Sequence, residues 1–130
     1  MPLLSGIDHC HINVNNLSNA VTWYEKVLGF KVVEELAFWD ETGKGPLTLQ
    51  DQNTTTRLAL FEGQVRSKGI AFGATGEQFI AWLAHFKSMD IKTVLADHGV
   101  TFSIYFKDDS CNSHEITSHD YEHIKMFYPS

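Results

Sequence analysis

The sequence predicts an α+β fold built from two βαβββ modules. Three observations carry that prediction. The same order of strands and helix signals occurs in each half, each half holds one amphipathic helix with its own N-cap, and no Gly/Ser-rich linker divides them. The halves are therefore expected to share one sheet or to pack as one body. A chain of 130 residues with 43% hydrophobic content suits a single domain. Module one is expected over about residues 5–62, module two over about 67–120, and a C-terminal tail over 121–130.

The first strand is expected in "GIDHCHINV", where β-branched and apolar residues alternate with polar ones. "NNLSN" follows with Asn and Ser to cap a helix. In "LSNAVTWYEKVLGF", Leu17, Ala20, Val21, Tyr24, Val27 and Leu28 recur at helical spacing, and Gly29 sits where a left-handed C-cap belongs. "FKVVEELAFWD" reads as a strand, "GKGP" as a turn, and "LTLQ" and "TRLALFE" as two more strands around "DQNTTT". "GIAFGA" then opens the second module. Thr75 caps a helix marked by Phe79, Ile80, Leu83 and Phe86, and "IKTVLAD", "VTFSIYFKD" and "SHEITSHD" complete three strands with turns at "DHG" and "DDSCN". Val21 and Trp23 of the first helix match Ile80 and Trp82 of the second. "YEHIKMFYPS" is apolar enough to cover a sheet edge or a partner.

A net charge of −6 without clustered Lys and Arg argues against nucleic acid and favours a neutral or cationic small ligand. No apolar run reaches the roughly 20 residues that span a bilayer, and "MPLLSGIDHC" lacks a secretory pattern, so no membrane association and a cytoplasmic location are expected. Cys10 and Cys111 lack C-x-x-C spacing and are expected to remain free thiols.

Side chains at i and i+2 of a strand share a face, so His9 and His11 can present two imidazoles to one ion. A complete site needs a further donor, for which Glu115, beside His114 on the last strand, is the best distant candidate. The same H-x-H pair also reads as a polar strand edge or a hydrogen-bonded pair, and spacing alone leaves both readings open.

"IDHCHINVNNLSNAVTWYEKVLGFKVV" and, far downstream, "SIYFKDDSCNSHEITSHDYE" resemble the vicinal oxygen chelate superfamily of glyoxalases, bleomycin-resistance proteins, fosfomycin-resistance proteins and extradiol dioxygenases. The likeness covers nearly the whole chain, and it implies two βαβββ modules forming a cupped mixed sheet, usually in a homodimer, with a divalent ion in the cup. By that resemblance His9 matches the first-strand ligand and Glu115 the last-strand ligand, Glu115 serving as ligand and, when displaced, as proton-transferring base. The family's second-module histidine falls on Gly69, which has no side chain, and the additional fourth-strand donor falls near Ala59. Either His11 replaces the missing donor, giving His9, His11 and Glu115 around Zn, Ni, Mn or Fe, or the metal is gone and the protein binds a small molecule as bleomycin-resistance proteins do. Tyr105 occupies the penultimate strand, where related enzymes place a polar group toward substrate; sheet packing is the other reading of it.

In the turn "DDSCNSHE", Asp109 and Cys111 replace the Pro and Gly of the family's usual sequence, which predicts a reshaped turn. Cys111 has no adjacent base and is given no catalytic role, and His85, His98, His119 and His123 read as surface or edge residues. Trp23 and Trp82 read as core, whereas Trp39 with Phe38, and also Phe72, are candidates for an apolar pocket or interface. The expected function is a glyoxalase-like enzyme, a lyase, isomerase or dioxygenase acting on a small molecule. The alternatives are a metal-free sequestering protein and a subunit that retains only the fold.

Overall fold

The computed structural model describes residues 1–128, which divide into two compact units, Met1–Ser67 and the described residues from Lys68 onward. Each unit is a βαβββ module with its own four-stranded mixed sheet.

In the first unit, β1 (Cys10–Val14) leads into α1 (Leu17–Trp23), whose Asn16 side chain accepts the amide hydrogen bond of Asn19 as its N-cap. The helix widens into a π-turn over Tyr24–Leu28 and stops at Gly29, which takes the expected left-handed conformation, φ 76°. β2 (Lys31–Val32), β3 (Leu47–Gln50) and β4 (Arg57–Glu62) follow, in sheet order β1-β4-β3-β2. β1 runs parallel to β4, and the other pairs are antiparallel. Ile12, Val14, Leu49, Leu58 and Leu60 form the buried sheet face with Leu17, Ala20, Tyr24, Val27 and Leu28.

The strand expected over "FKVVEELAFWD" is mostly absent. Only Lys31–Val32 pairs as β2, and Glu34–Trp39 winds into a 3-10 helix. Val33 still donates its amide to the Thr48 carbonyl, but the Leu36 amide turns back to the Val33 carbonyl. The segment lacks the apolar-polar alternation that holds a strand on a core: Leu36 and Ala37, adjacent in sequence, are both half-buried while Phe38 and Trp39 are exposed.

The second unit repeats the plan. β5 (Ala71–Gly73) precedes α2 (Gly76–Ser88), capped by Thr75, and β6 (Val94–Asp97), β7 (Phe102–Lys107) and β8 (Ser113–Ser118) complete the sheet order β5-β8-β7-β6. α2 lies on the face bearing Phe102 and Phe106: Phe79 stands 6.3 Å from the Phe102 ring and Phe86 stands 4.7 Å from the Phe106 ring. Trp82 is half-buried against Phe86 and His85, as a packing residue. Trp23 is half-buried against Tyr24 in the same way.

The tail is more ordered than a loose cover. Tyr121–Phe127 forms α3 against α2, with Ile124 buried and the Asp120 carboxylate accepting the Gly76 amide at 2.6 Å; residues 129 and 130 of the tail lie outside the described residues. Asp97 holds the other side, accepting from the Tyr121 hydroxyl at 2.9 Å and the Lys125 ammonium at 3.2 Å. Among the described residues no helix is long and apolar enough to cross a membrane.

Candidate functional site

Alternation along the strands decides which side chains are available for chemistry. In β1 and β4 the even-numbered residues face α1, which leaves His11 beside Ala59 and, one strand further, Thr48 on the opposite face. In β7 and β8 the even-numbered residues face α2, so Glu115 lies between Ala71 and Tyr105 on the opposite face, with Val94 beyond Tyr105.

The two registers expose an internal correspondence. Setting β4 on β8 residue by residue, Arg57 on Ser113 through Glu62 on Ser118, brings Ala59 onto Glu115 and Thr48 onto Tyr105. The parallel partners follow: His11 falls on Ala71, and two residues earlier His9 falls on Gly69. Module one therefore keeps an imidazole and has alanine in place of the carboxylate. Module two keeps the carboxylate and has glycine in place of the imidazole. Gly69 is thus the register counterpart of His9, and Ala59 that of Glu115.

The gap at Gly69 is built into the backbone. Gly69 has φ +99°, and a Cβ there would stand 1.2 Å from the Ser113 carbonyl oxygen. No residue with a side chain fits that contact. The close approach is held by two hydrogen bonds: the Glu115 amide to the Ile70 carbonyl at 2.9 Å, and the Ile70 amide to Nδ1 of His114 at 3.1 Å. His114 is buried between Phe72 and Phe106, and its Nε2 lies 3.7 Å from Asp108. It is thus a structural support rather than a ligand.

His9 and His11 do converge. His9 lies just ahead of β1, yet its Nε2 is 3.1 Å from Nε2 of His11, and the two rings stack with centroids 5.0 Å apart. His9 Nδ1 donates to Asp8 at 2.9 Å, and the edge of Phe61 supports His11 at 5.1 Å. Both histidines are exposed. The Asp8 carboxyl is held below its ordinary value chiefly by the hydrogen bond from His9, which outweighs desolvation, with smaller help from the charges of His9 and Arg57.

Glu115 is half-buried, and Tyr105 across from it is exposed, its hydroxyl 3.0 Å from Nε2 of His98. His98, expected to be a bystander, is the polar partner of Tyr105; only the β6–β7 pairing brings it there. Among the described residues no group of three or more His, Cys, Asp or Glu side chains is arranged to hold a metal ion. The donors present as a preformed set are the two imidazoles, and Glu115 stands on the sheet of the other unit.

Phe38 and Trp39, expected to line an apolar pocket or an interface, contact each other at 5.7 Å and are exposed, and Phe72 packs on His114. An open depression of about 600 Å³ is lined by Thr75, Glu77 and residues 119–123, and one of about 490 Å³ by residues of β2, β3 and their neighbours. Neither holds a predicted site residue. Both cysteines are free.

The turn after β7 is built around Asp108. Asp108 is buried and accepts the amides of Ser110 at 2.9 Å and Asn112 at 2.8 Å together with the Asn112 side chain at 2.9 Å. Cys111, at the position where the resemblance expects glycine, adopts a left-handed φ of 67°. The side-chain hydrogen bonds around Asp108 hold the turn in this shape.

Comparison with known proteins agrees with this architecture. Curated protein sequences give no match. Lactoylglutathione lyase from Agrobacterium tumefaciens superposes with TM-score 0.75 at 19% identity, covering 92% of this chain and 97% of that one. The fosfomycin resistance protein FosX from Listeria monocytogenes, in a structure complexed with Mn(II) and 1S,2S-dihydroxypropylphosphonic acid, gives TM-score 0.71 at 17% identity over 93% of this chain and 97% of that one. A glyoxalase/dioxygenase from Nostoc punctiforme gives 0.67 at 17% over 92% and 97%. At these identities the likeness establishes the fold. The sequence profile of one family matches residues 6–116, and on that match the chain belongs to the Glyoxalase/Bleomycin resistance protein/Dioxygenase superfamily.

Proposed function

We propose that this protein is a glyoxalase-like enzyme that acts on a small molecule with a divalent metal held by His9, His11 and Glu115. The observation that carries the reading is the 3.1 Å approach of the two histidine Nε2 atoms. At metal–nitrogen distances of about 2.0–2.1 Å, two neighbouring imidazole ligands stand roughly 3 Å apart, so the pair is already spaced as cis ligands. Glu115 supplies the carboxylate, on the strength of its match to the family's last-strand ligand. A metal held there would supply Lewis-acid chemistry. Tyr105, facing the same side of its sheet as Glu115, would donate a hydrogen bond to a substrate oxygen, and Glu115, when displaced from the metal, would take up a proton from the substrate carbon or a bound water. The Mn(II) in the FosX structure supports a metal of this class. The reading takes residues 1–130 as one functional domain in a cytoplasmic homodimer.

Elemental analysis of untagged protein after reconstitution with Mn, Fe, Ni or Zn tests it. Stoichiometric metal, lost in His9→Ala, His11→Ala and Glu115→Ala, is expected. A parent protein that retains none after reconstitution refutes the metal site, and unchanged affinity in His11→Ala removes His11 from it.

The glycine at position 69 and the alanine at 59 favour a second reading, a metal-free protein that sequesters a neutral or cationic compound. Saturable quenching of tryptophan fluorescence by such compounds in metal-free protein supports it; no saturable response in either ligand class counts against it.

A further inference from the structure

We propose that Asp8 is the positioning residue of the histidine pair: it fixes His9 as the Nδ1–H tautomer and thereby sets the proton of His11, so that one ligand is ready for a metal and the other is not. The inference rests on the metal reading only for its consequence; the tautomers themselves follow from the contacts.

An ionised carboxylate only accepts, so the 2.9 Å contact between Asp8 and His9 requires the hydrogen on Nδ1 of His9. In the neutral ring Nε2 of His9 is then a bare acceptor. The 3.1 Å contact between the two Nε2 atoms needs one hydrogen, which His11 must provide. His11 is therefore the Nε2–H tautomer with a bare Nδ1. Arg57 adds a positive charge near Asp8, which helps keep the carboxylate ionised.

The two histidines are thus unequal partners for a cation. His9 offers an unprotonated Nε2 backed by a carboxylate, the arrangement that orients histidine ligands and raises their basicity. His11 binds through Nε2 only after that nitrogen releases its proton to water and Nδ1 takes one up, a tautomer change with no net proton release. His9 is the first ligand, and His11 joins second.

Long-range ¹H–¹⁵N spectra of metal-free, ¹⁵N-labelled protein at neutral pH test the assignment directly. Nδ1–H on His9 and Nε2–H on His11 are expected. In Asp8→Ala, His9 is expected to shift toward the Nε2–H form that free histidine prefers, and His11 to lose its single tautomer. Nε2–H on His9 in the parent, or identical spectra in Asp8→Ala, overturns the proposal. Zinc titration of the same proteins tests the consequence: Asp8→Ala is expected to bind at least about tenfold more weakly, with partial recovery in Asp8→Glu. Equal zinc affinity in Asp8→Ala overturns the positioning role while leaving the metal reading intact. A parent with the stated tautomers but no zinc binding upholds the tautomer assignment and counts against the metal reading instead.

Discussion

Replacing Gly69 with alanine should cost far more than a surface-loop substitution ordinarily does. At φ +99° an L-residue carries strain of about 1–3 kcal/mol. The new Cβ would also overlap backbone, 1.2 Å from the Ser113 oxygen and 2.3 Å from its carbonyl carbon, so no side-chain rotation relieves it. Relief requires moving the start of the second module away from β8. That movement breaks the Glu115–Ile70 and Ile70–His114 hydrogen bonds, about 1 kcal/mol each. The sum is about 3–5 kcal/mol, a large part of a small protein's stability. Urea unfolding followed by circular dichroism should show the midpoint falling by more than about 1 M. Gly73→Ala is the control, because a Cβ at Gly73 meets nothing within 4 Å; a change under about 0.5 kcal/mol is expected there. A Gly69→Ala protein as stable as that control would refute the argument that the glycine is demanded by the backbone.

Cys111→Gly should stabilise the protein by about 0.5–1 kcal/mol, since a non-glycine residue is held at φ 67°; thermal unfolding measures it, and a lower midpoint contradicts the strain. Phe79→Ala, which removes a fully buried ring from the α2 contact, should cost about 3–5 kcal/mol in the same assay, and a loss below 1 kcal/mol would show that the helix does not rest on that ring. The α3 latch should depend on pH at both ends. The Gly99 amide, and less strongly Tyr121 and Lys125, lower the Asp97 carboxyl below 3.8 against some desolvation, so its contribution is complete above the unfolded value and lost as acid takes the pH through the folded one. The hydrogen bond to Asp97 raises the Tyr121 phenol above 10.0, so its contribution is complete below that value and lost at higher pH. Hydrogen exchange in Tyr121–Phe127 should accelerate in both ranges, and Asp97→Asn should abolish the acid step.

The module plan was legible because it is written in periodicity: Leu17, Ala20 and Tyr24, or Phe79 and Phe86, can bury one face only as helices. The convergence of His9 and His11 was legible for the same kind of reason, the two-residue repeat of a strand. What stayed hidden depends on backbone or distant partners. Nothing in "KGIAF" says that Gly69 presses on Ser113, and nothing in "DDSCN" says that Cys111 keeps a glycine's conformation, since the Asp108 cage that imposes it forms only on folding. The short β2 shows the opposite error. "FKVVEELAFW" has strand-forming residues, but its apolar side chains do not alternate, and the chain winds into a 3-10 turn in which the adjacent Leu36 and Ala37 are both half-buried. His98 meets Tyr105 only because a turn folds β6 onto β7, a pairing that residue type alone does not announce.

The matched vacancies at Ala59 and Gly69 differ in reversibility. At Ala59 the backbone is ordinary strand, paired to His11 and Thr48, and a carboxylate could return through one side-chain change, opposed by the desolvation of a position only 4% exposed. At Gly69 the chain itself has moved into the space an imidazole would need, so the histidine cannot return until the Ser113 contact is dismantled. A donor at position 59 lies within reach of a point mutation, whereas one at position 69 has to wait for the backbone to move, so that step works as a ratchet.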